Sequence, residues 1–175
     1  MPESPSRPLT TPQDIPAALQ VPEGEVLLLQ AFGRGVQIYT CIVNTAENPP
    51  STPGVFKQPP APHAILLKGD RDEGDLVAIH FAGPTGPNWQ AIDGSRVVGK
   101  KLVGVPSPDP DGVDWLLLEV IENNGNGLFS SVKHIQRLYT DGGKNPTGGC
   151  NPQKQGQVLV EYSAQYLFYG PAPAQ

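Results

Sequence analysis

Proline and glycine interrupt this chain so often that long helices are excluded. The sequence holds 21 prolines and 20 glycines in 175 residues, and the apolar runs between them are only strand-sized. Proline inside a helix removes a hydrogen bond and clashes with the preceding turn, and glycine there is entropically unfavourable. Short β-type runs separated by turn residues are typical of all-β proteins. We therefore expect a single all-β domain over residues 23–170, an antiparallel β-sandwich or barrel.

The β-type runs pair into four expected hairpins and one final strand. The pairs are Glu25–Ala31 with Val36–Val43 around a turn at Gly33-Arg34-Gly35, His63–Leu67 with Leu76–Ala82, Asn88–Ile92 with Arg96–Val105, and Trp115–Ile121 with Leu128–Tyr139; Val158–Tyr169 is the final strand. Asp93-Gly94 favours a tight type I′ turn because both residues tolerate positive φ. The run Leu128–Tyr139 also fits a helical stripe, but we predict a strand.

Both ends of the chain are expected to lie outside this domain. Residues 1–22 contain six prolines and predict an extended arm, with room for one helical turn at Ala17–Leu19. Residues 171–175 form a short tail. Residues 44–62, which are also rich in proline, predict a long surface loop. The arm or an exposed edge strand is a possible route to assembly with other subunits.

Charge and hydropathy exclude several classes of function. The formal net charge is -5 and there is no cluster of Lys and Arg, which argues against nucleic acid as a partner. No apolar run approaches the roughly 20 residues of a transmembrane helix. A Gly-x-Gly-x-x-Gly motif after a strand, and the alternating βα pattern of a Rossmann domain, are both absent from the sequence. We expect no cofactor.

The two cysteines, Cys41 and Cys150, are 109 positions apart and lack the close Cys/His spacing of a zinc site. We predict a disulfide between them, with two buried free thiols as the alternative. A disulfide favours an oxidising compartment: secreted, periplasmic or cell surface. The first residues show no secretory leader, so either the protein is intracellular or Met1 replaces a removed leader.

Nine segments of the sequence form a recognisable combination: Val21-Pro22-Glu23-Gly24, Gly35 to Cys41, His80-Phe81-Ala82-Gly83-Pro84-Thr85, Asp93-Gly94-Ser95, Pro106 to Pro110, Trp115 to Leu118, Ile135 to Leu138, Gly142-Gly143-Lys144 and Tyr162-Ser163-Ala164. Together they resemble the uncharacterised domain-of-unknown-function family 3455 of bacteria and fungi. The resemblance covers roughly residues 15–169 and implies a leader peptide in the natural form. Some members are labelled malate dehydrogenase, which the missing dinucleotide motif does not support. The family has Trp directly after the Gly-Pro-Thr turn, whereas Gly86-Pro87-Asn88 precede Trp89 here.

The three histidines, His63, His80 and His134, are the candidate metal ligands. Each lies on a predicted strand, and His63 and His80 flank one hairpin across which they could face each other. A third imidazole would complete a copper or zinc site. The alternative is that they are ordinary hydrogen-bonded or exposed strand residues, and no His-x-His pair favours the metal.

Loop residues are the candidates for ligand binding, because rigid β scaffolds commonly carry function on loops. We single out Thr85, Trp89, Asp93 and Lys144. Six aromatic residues could also line a groove for a sugar or a flat ligand: Trp89, Trp115, Tyr139, Tyr162, Tyr166 and Tyr169. The expected function is a secreted or cell-envelope binding or structural module for a small molecule, glycan or protein. The alternative is an extracellular metal-dependent or hydrolytic enzyme.

Overall fold

A computed structural model describes residue 9 and residues 11–46 and 52–172. The parts of the predicted arm, loop and tail at residues 1–8, 10, 47–51 and 173–175 lie outside the described residues. The strands are β1 (Glu25–Val43), β2 (Gly54–Phe56), β3 (Ala61–Lys68), β4 (Leu76–Ala82), β5 (Pro87–Ala91), β6 (Arg96–Val105), β7 (Trp115–Asn124), β8 (His134–Gly142) and β9 (Gln157–Pro171). A 3-10 turn covers Ala17–Leu19, as predicted. The described part contains no helix with the length and apolar character needed to cross a membrane.

The strands form one antiparallel sheet that closes on itself. Their order is β2-β1-β3-β4-β5-β6-β7-β8-β9, and β1 also pairs with β9. Eight strands thus make an irregular ring, and β2 extends it beside the last residues of β1. The prediction of an all-β, antiparallel domain is confirmed, and the sheet is closed rather than split into two stacked layers. Within the ring, alternate residues of each strand point to the inside.

The hairpin predicted for the first two strands is wrong. Residues 25–43 form one continuous strand, and Gly33-Arg34-Gly35 is not a turn. Glycine is required at both positions, because the neighbouring strands approach so closely that no side chain fits there. A Cβ atom on Gly33 would lie 2.6 Å from the Tyr166 ring, and one on Gly35 would lie 2.6 Å from the Cα of Ala64. The strand therefore passes through two narrow points of the ring without reversing.

The strand predicted at Leu128–Tyr139 begins only at His134, and the helical alternative is also wrong. Residues 125–133, the closing segment, fold across one end of the ring instead. Asp93 accepts hydrogen bonds from the backbone N–H groups of Ser95 and Leu128, at 2.9 and 2.7 Å. A hydrogen bond from the Ser95 hydroxyl, at 2.7 Å, is the main reason that the pKa of the Asp93 carboxyl lies below its usual range, and the two backbone N–H groups lower this pKa further. The closing segment buries Phe129 completely, so this end of the ring is filled.

The outside of the ring carries a second buried cluster. Ile15 and Leu19 pack there against Trp115, Leu138 and Leu167. The neighbouring Gln136 is fully buried, donates from Nε2 to the Leu19 carbonyl oxygen at 2.7 Å, and accepts from the Tyr169 hydroxyl at 2.8 Å. A buried amide whose bonds are satisfied fixes the approach of the covering chain. The residues around the 3-10 turn are thereby held on the face of β7, β8 and β9.

The predicted disulfide is present between Cys41 and Cys150, with a Cα–Cα distance of 6.1 Å. It joins the end of β1 to the segment that leads into β9. The Tyr39 hydroxyl adds a hydrogen bond of 2.6 Å to the Gly143 carbonyl oxygen. Together these contacts attach both ends of the segment 143–150 to β1.

We expect Gly35→Ala to lower the free energy of unfolding by about 3 kcal/mol or to prevent folding, because the added methyl group meets backbone atoms of β3. Gly156→Ala is the matched control, since its Cβ has no atom within 4 Å and the change should be less than about 1 kcal/mol. Urea unfolding of both variants measures the difference. Equal stability of the two variants would contradict the continuous strand.

We expect the intact protein, denatured without reductant, to have a mass lower by two hydrogen atoms than the fully reduced chain. Replacement of both cysteines by serine should lower the free energy of unfolding by about 2–5 kcal/mol, because the covalent link closes a loop of 109 residues. Mass spectrometry and urea unfolding test the two statements separately. A fully reduced mass in freshly purified protein would count against the bridge.

Candidate functional site

The end of the ring opposite the closing segment opens into a cavity of about 660 Å³, which we call the mouth cavity. Its walls come from residues 37–40 of β1, the segment 57–62, the turn between β4 and β5, and inward residues of β6, β7 and β8. The wall of the cavity is shorter at β5 than at β6. The reason is that β5 pairs with only Arg96–Val98 of β6, whereas β6 continues along β7 as far as Val105. A cavity of this size accommodates a small organic molecule.

Three packed rings form the floor of the mouth cavity. His80 and Trp89 stack with centroids 4.2 Å apart and planes 13° apart, and Tyr166 lies 5.2 Å from His80. Trp89 is 1% exposed and Tyr166 is fully buried. These rings therefore close the floor without offering broad faces to a ligand. The indole N–H of Trp89 is buried and has no hydrogen-bond partner among the described residues.

His80 is neutral at ordinary pH. Its Nδ1 lies 2.8 Å from the Asn88 carbonyl oxygen, and since a carbonyl only accepts, Nδ1 carries the proton. Burial lowers the pKa of His80 to about 3, while the bond to Asn88 opposes this shift and the positive charge of Arg137 reinforces it. A group that titrates so far from neutrality is poorly suited to general acid–base work. We assign His80 a packing role in the floor.

Positive charge is concentrated at the mouth cavity. The protein has 12 Lys and Arg residues and 17 Asp and Glu residues. Four of the cations, Lys57, Lys101, Arg137 and Lys144, line this cavity, against one carboxylate, Asp114. None of the four cations forms an ion pair within the described residues. The cavity is therefore a cationic site in an acidic protein.

Arg137 is the cation nearest the floor. It follows the inward-facing Ile135 by two positions on β8, so it points into the ring, and its Nε donates to the Asp114 carbonyl oxygen at 3.0 Å. The positive charge of Arg137 also affects the ionisation of two buried hydroxyl groups, those of Tyr162 and Tyr166. Burial raises the pKa values of Tyr162 and Tyr166, and the guanidinium of Arg137 opposes that rise at both. The hydroxyls of this tyrosine pair are 2.8 Å apart.

The three candidate metal ligands do not converge. In the register of β3 and β4, Ala64 is opposite His80, so His63 lies on the outer face while His80 points inside. His134 lies at the start of β8, where its Nδ1 is 2.7 Å from the Glu25 carboxylate. The expectation that His63 and His80 face each other is therefore wrong. No group of three or more possible metal ligands occurs in the part of the chain that the structure describes.

The four predicted ligand-loop residues separate into two pairs. Trp89 and Lys144 line the mouth cavity. Thr85 lies on the turn after β4 and donates from its hydroxyl to the Glu122 carboxylate at 3.0 Å, and it does not line the cavity. Asp93 lies at the opposite end of the ring, where it holds the closing segment. Asp93 therefore does not contribute to the mouth cavity.

The aromatic groove predicted from six rings is not formed. Trp89, Tyr162 and Tyr166 belong to the core inside the ring. Trp115, Tyr139 and Tyr169 pack on the outside beneath residues 15–21. A sheet separates the two sets, because strand neighbours alternate between its faces.

Three of the four cavity cations, Arg137, Lys101 and Lys57, were not among the residues predicted from the sequence. A signal was present for Arg137, because it shares the inner face of β8 with the fully buried Ile135, and a cation on a core-facing position is uncommon. For Lys101 the alternation is hidden by an irregularity of β6, where Lys101 pairs with Leu118 and Val103 with Leu117. The extra residue could not be read from the sequence.

We expect His80 to make the protein less stable in acid. The unfolded state binds a proton near pH 6.5, while the folded state binds it only near pH 3, so stability is complete above pH 6.5 and falls as the pH decreases towards 3. Binding of one additional proton by the unfolded state changes the free energy of unfolding by about 1.4 kcal/mol per pH unit. Urea unfolding between these limits should show that the free energy of unfolding depends less steeply on pH in His80→Gln than in the wild type, by that amount. Identical slopes in wild type and His80→Gln would contradict the buried neutral imidazole.

Comparison with known proteins places the chain in a family without an assigned activity. No curated protein and no solved structure matches it significantly. The family described as Protein of unknown function (DUF3455) matches residues 55–170, which include β2 to β9 and most of the residues around the mouth cavity. Since this match covers more than half of the sequence, the chain belongs to the DUF3455 family.

Proposed function

We propose that the protein is a binding module that holds a small organic molecule in the mouth cavity. The observation that carries the proposal is the asymmetry of the ring: the closing segment fills one end, and the other end opens into about 660 Å³. Closed β rings of this kind commonly hold one ligand at the open end.

The walls of the mouth cavity support a small molecule over a glycan. The floor rings Trp89 and Tyr166 are almost completely buried and cannot stack on a sugar. The walls include instead a stretch of apolar side chains, among them Pro59, Pro60 and Pro62. Such side chains bury the apolar part of a ligand away from water, but they do not form hydrogen bonds with the hydroxyl groups of a sugar.

The contacts around the segment 143–150 support a preformed site. The disulfide, the Tyr39 hydroxyl bond to Gly143 and the bridge between Gly112 and Gly143 all restrain the segment that carries Lys144. A restrained wall loses little entropy when a ligand binds. The same disulfide supports placing the module in an oxidising compartment, as a secreted or cell-envelope protein.

We expect the neutral fluorophore N-phenyl-1-naphthylamine to bind the wild-type protein and to lose affinity by about tenfold or more in Ala82→Trp. Ala82 is the last residue of β4 and lines the mouth cavity, so an indole at this position would occupy the space of the ligand. Ile79→Trp is the matched control, because Ile79 lies on the outer face of the same strand and is 45% exposed. Fluorescence titration measures both variants. Unaltered binding in Ala82→Trp, or no binding to the wild type, would overturn the proposal.

A further inference from the structure

We infer that the ligand is an amphiphilic organic anion whose acidic group binds Arg137 and whose apolar body lies against the proline wall of the mouth cavity. The inference rests on the proposed function and specifies the ligand class for that same site. It is carried by the distribution of charge and of apolar side chains around the cavity.

The charge balance of the cavity favours a negative partner. Lys57, Lys101, Arg137 and Lys144 line the cavity with one carboxylate, Asp114, although the whole protein has a net charge of -5. Only Lys144 also lies near a carboxylate outside the lining, that of Asp109. Like charges around a common space raise its positive potential, which attracts an anion even where solvent screens the individual charges. A ligand with a carboxylate or sulfonate carries the charge that this potential attracts.

Arg137 has the geometry of an anchor for such a group. Its side chain is half-buried and its Nε already donates to the Asp114 carbonyl oxygen, which fixes the guanidinium plane. The guanidinium makes no ion pair with a carboxylate in the described part of the chain. A planar guanidinium recognises a carboxylate-like group through paired charge-assisted hydrogen bonds, which are stronger where water is partly excluded.

Much of the remaining lining is apolar, beside the polar side chains of Gln37, Thr40, Gln58 and Asn145. Ile38, Pro59, Pro62, Pro87 and Leu116 lie around the same cavity as the four cations. An inorganic anion would leave these surfaces in contact with water, whereas an apolar body attached to the anion covers them. The combination of one deep cation and an apolar wall thus favours an organic acid.

The three lysines have a different role from Arg137. All three are exposed, and the Nζ atom of Lys144 donates to the Pro110 carbonyl oxygen at 3.0 Å. Exposed charges are screened over about 8 Å at physiological salt, so the lysines attract the anion from a distance and add little to the bound state at high salt. The contribution of the half-buried Arg137 should persist when salt is added.

A matched pair of probes tests the inference. 8-Anilino-1-naphthalenesulfonate is N-phenyl-1-naphthylamine with one added sulfonate, so the ratio of the two affinities isolates the acidic group. We expect the wild-type protein to bind the sulfonate probe more tightly than the neutral probe in fluorescence titrations at low and high salt. Arg137→Gln should weaken only the sulfonate probe, by roughly 10- to 100-fold, the value of a charge-assisted hydrogen bond.

Two controls keep this result interpretable. Arg137→Lys retains the charge and should recover part of the preference for the sulfonate. Arg71→Gln removes one positive charge from an exposed turn remote from the cavity and should change neither affinity. Circular dichroism and thermal unfolding establish that each variant is folded, and the neutral probe reports whether its cavity is intact.

The outcomes separate this inference from the proposed function. Loss of the sulfonate preference in Arg137→Gln, with neutral binding unchanged, supports an anionic ligand held by Arg137. Equal affinities for the two probes, or a preference that survives Arg137→Gln, overturns the inference and leaves the small-molecule module standing. Absence of binding by either probe overturns both.

Discussion

The pairing of β1 with β9 is the interaction on which the rest of the structure depends. These strands lie near the two ends of the sequence, and they pair from Glu25 opposite Pro171 to Thr40 opposite Gln157. Without this contact the eight ring strands would remain an open sheet with two exposed edges, which are prone to pair with other chains. Closure depends on Gly33 and Gly35, where the approach of neighbouring strands leaves no room for a side chain. The disulfide between Cys41 and Cys150 joins the two strand regions again at the open end.

Closure also explains how a single sheet supplies both a core and a site. Inward side chains near the closing segment are apolar and completely buried, as Phe129 and Phe168 are. Towards the open end the same face carries His80, Tyr166 and Arg137, and the space between the strands is no longer filled. The change from a packed interior to a cavity therefore occurs along the length of the strands. The outer face is left to pack with residues 15–21, which cover β7, β8 and β9.

The all-β fold class could be predicted from the sequence, because the alternation of apolar and polar residues and the residue preferences of turns are local signals. Leu76–Ala82 has the predicted bounds. Asp93-Gly94 lies in the expected turn between β5 and β6, but the predicted type I′ geometry is wrong, because Gly94 has a φ of +91° whereas Asp93 has no positive φ. The errors arise where a local signal has a non-local cause. Gly33-Arg34-Gly35 has the composition of a turn, but its glycines are set by contacts with β3 and β9. Likewise, the opposite faces of His63 and His80 follow from a register of β3 and β4 that the sequence does not specify. The cavity was missed for the same reason, because its cations come from four separate segments.

A charged side chain on the inner face of a strand breaks the rule that a buried position is apolar or has a paired charge. Arg137 breaks it beside Tyr166 and close to a stacked imidazole and indole, in a ring whose other end follows the rule completely. Desolvating a guanidinium is unfavourable, and the Asp114 carbonyl oxygen and the Tyr166 hydroxyl compensate only part of that cost. Sequences generally depart from local consistency at functional sites, where an unfavourable term in the free protein becomes favourable when the ligand is bound. The proposed anionic ligand would give the guanidinium at the base of the cavity the charged partner that the described residues do not supply.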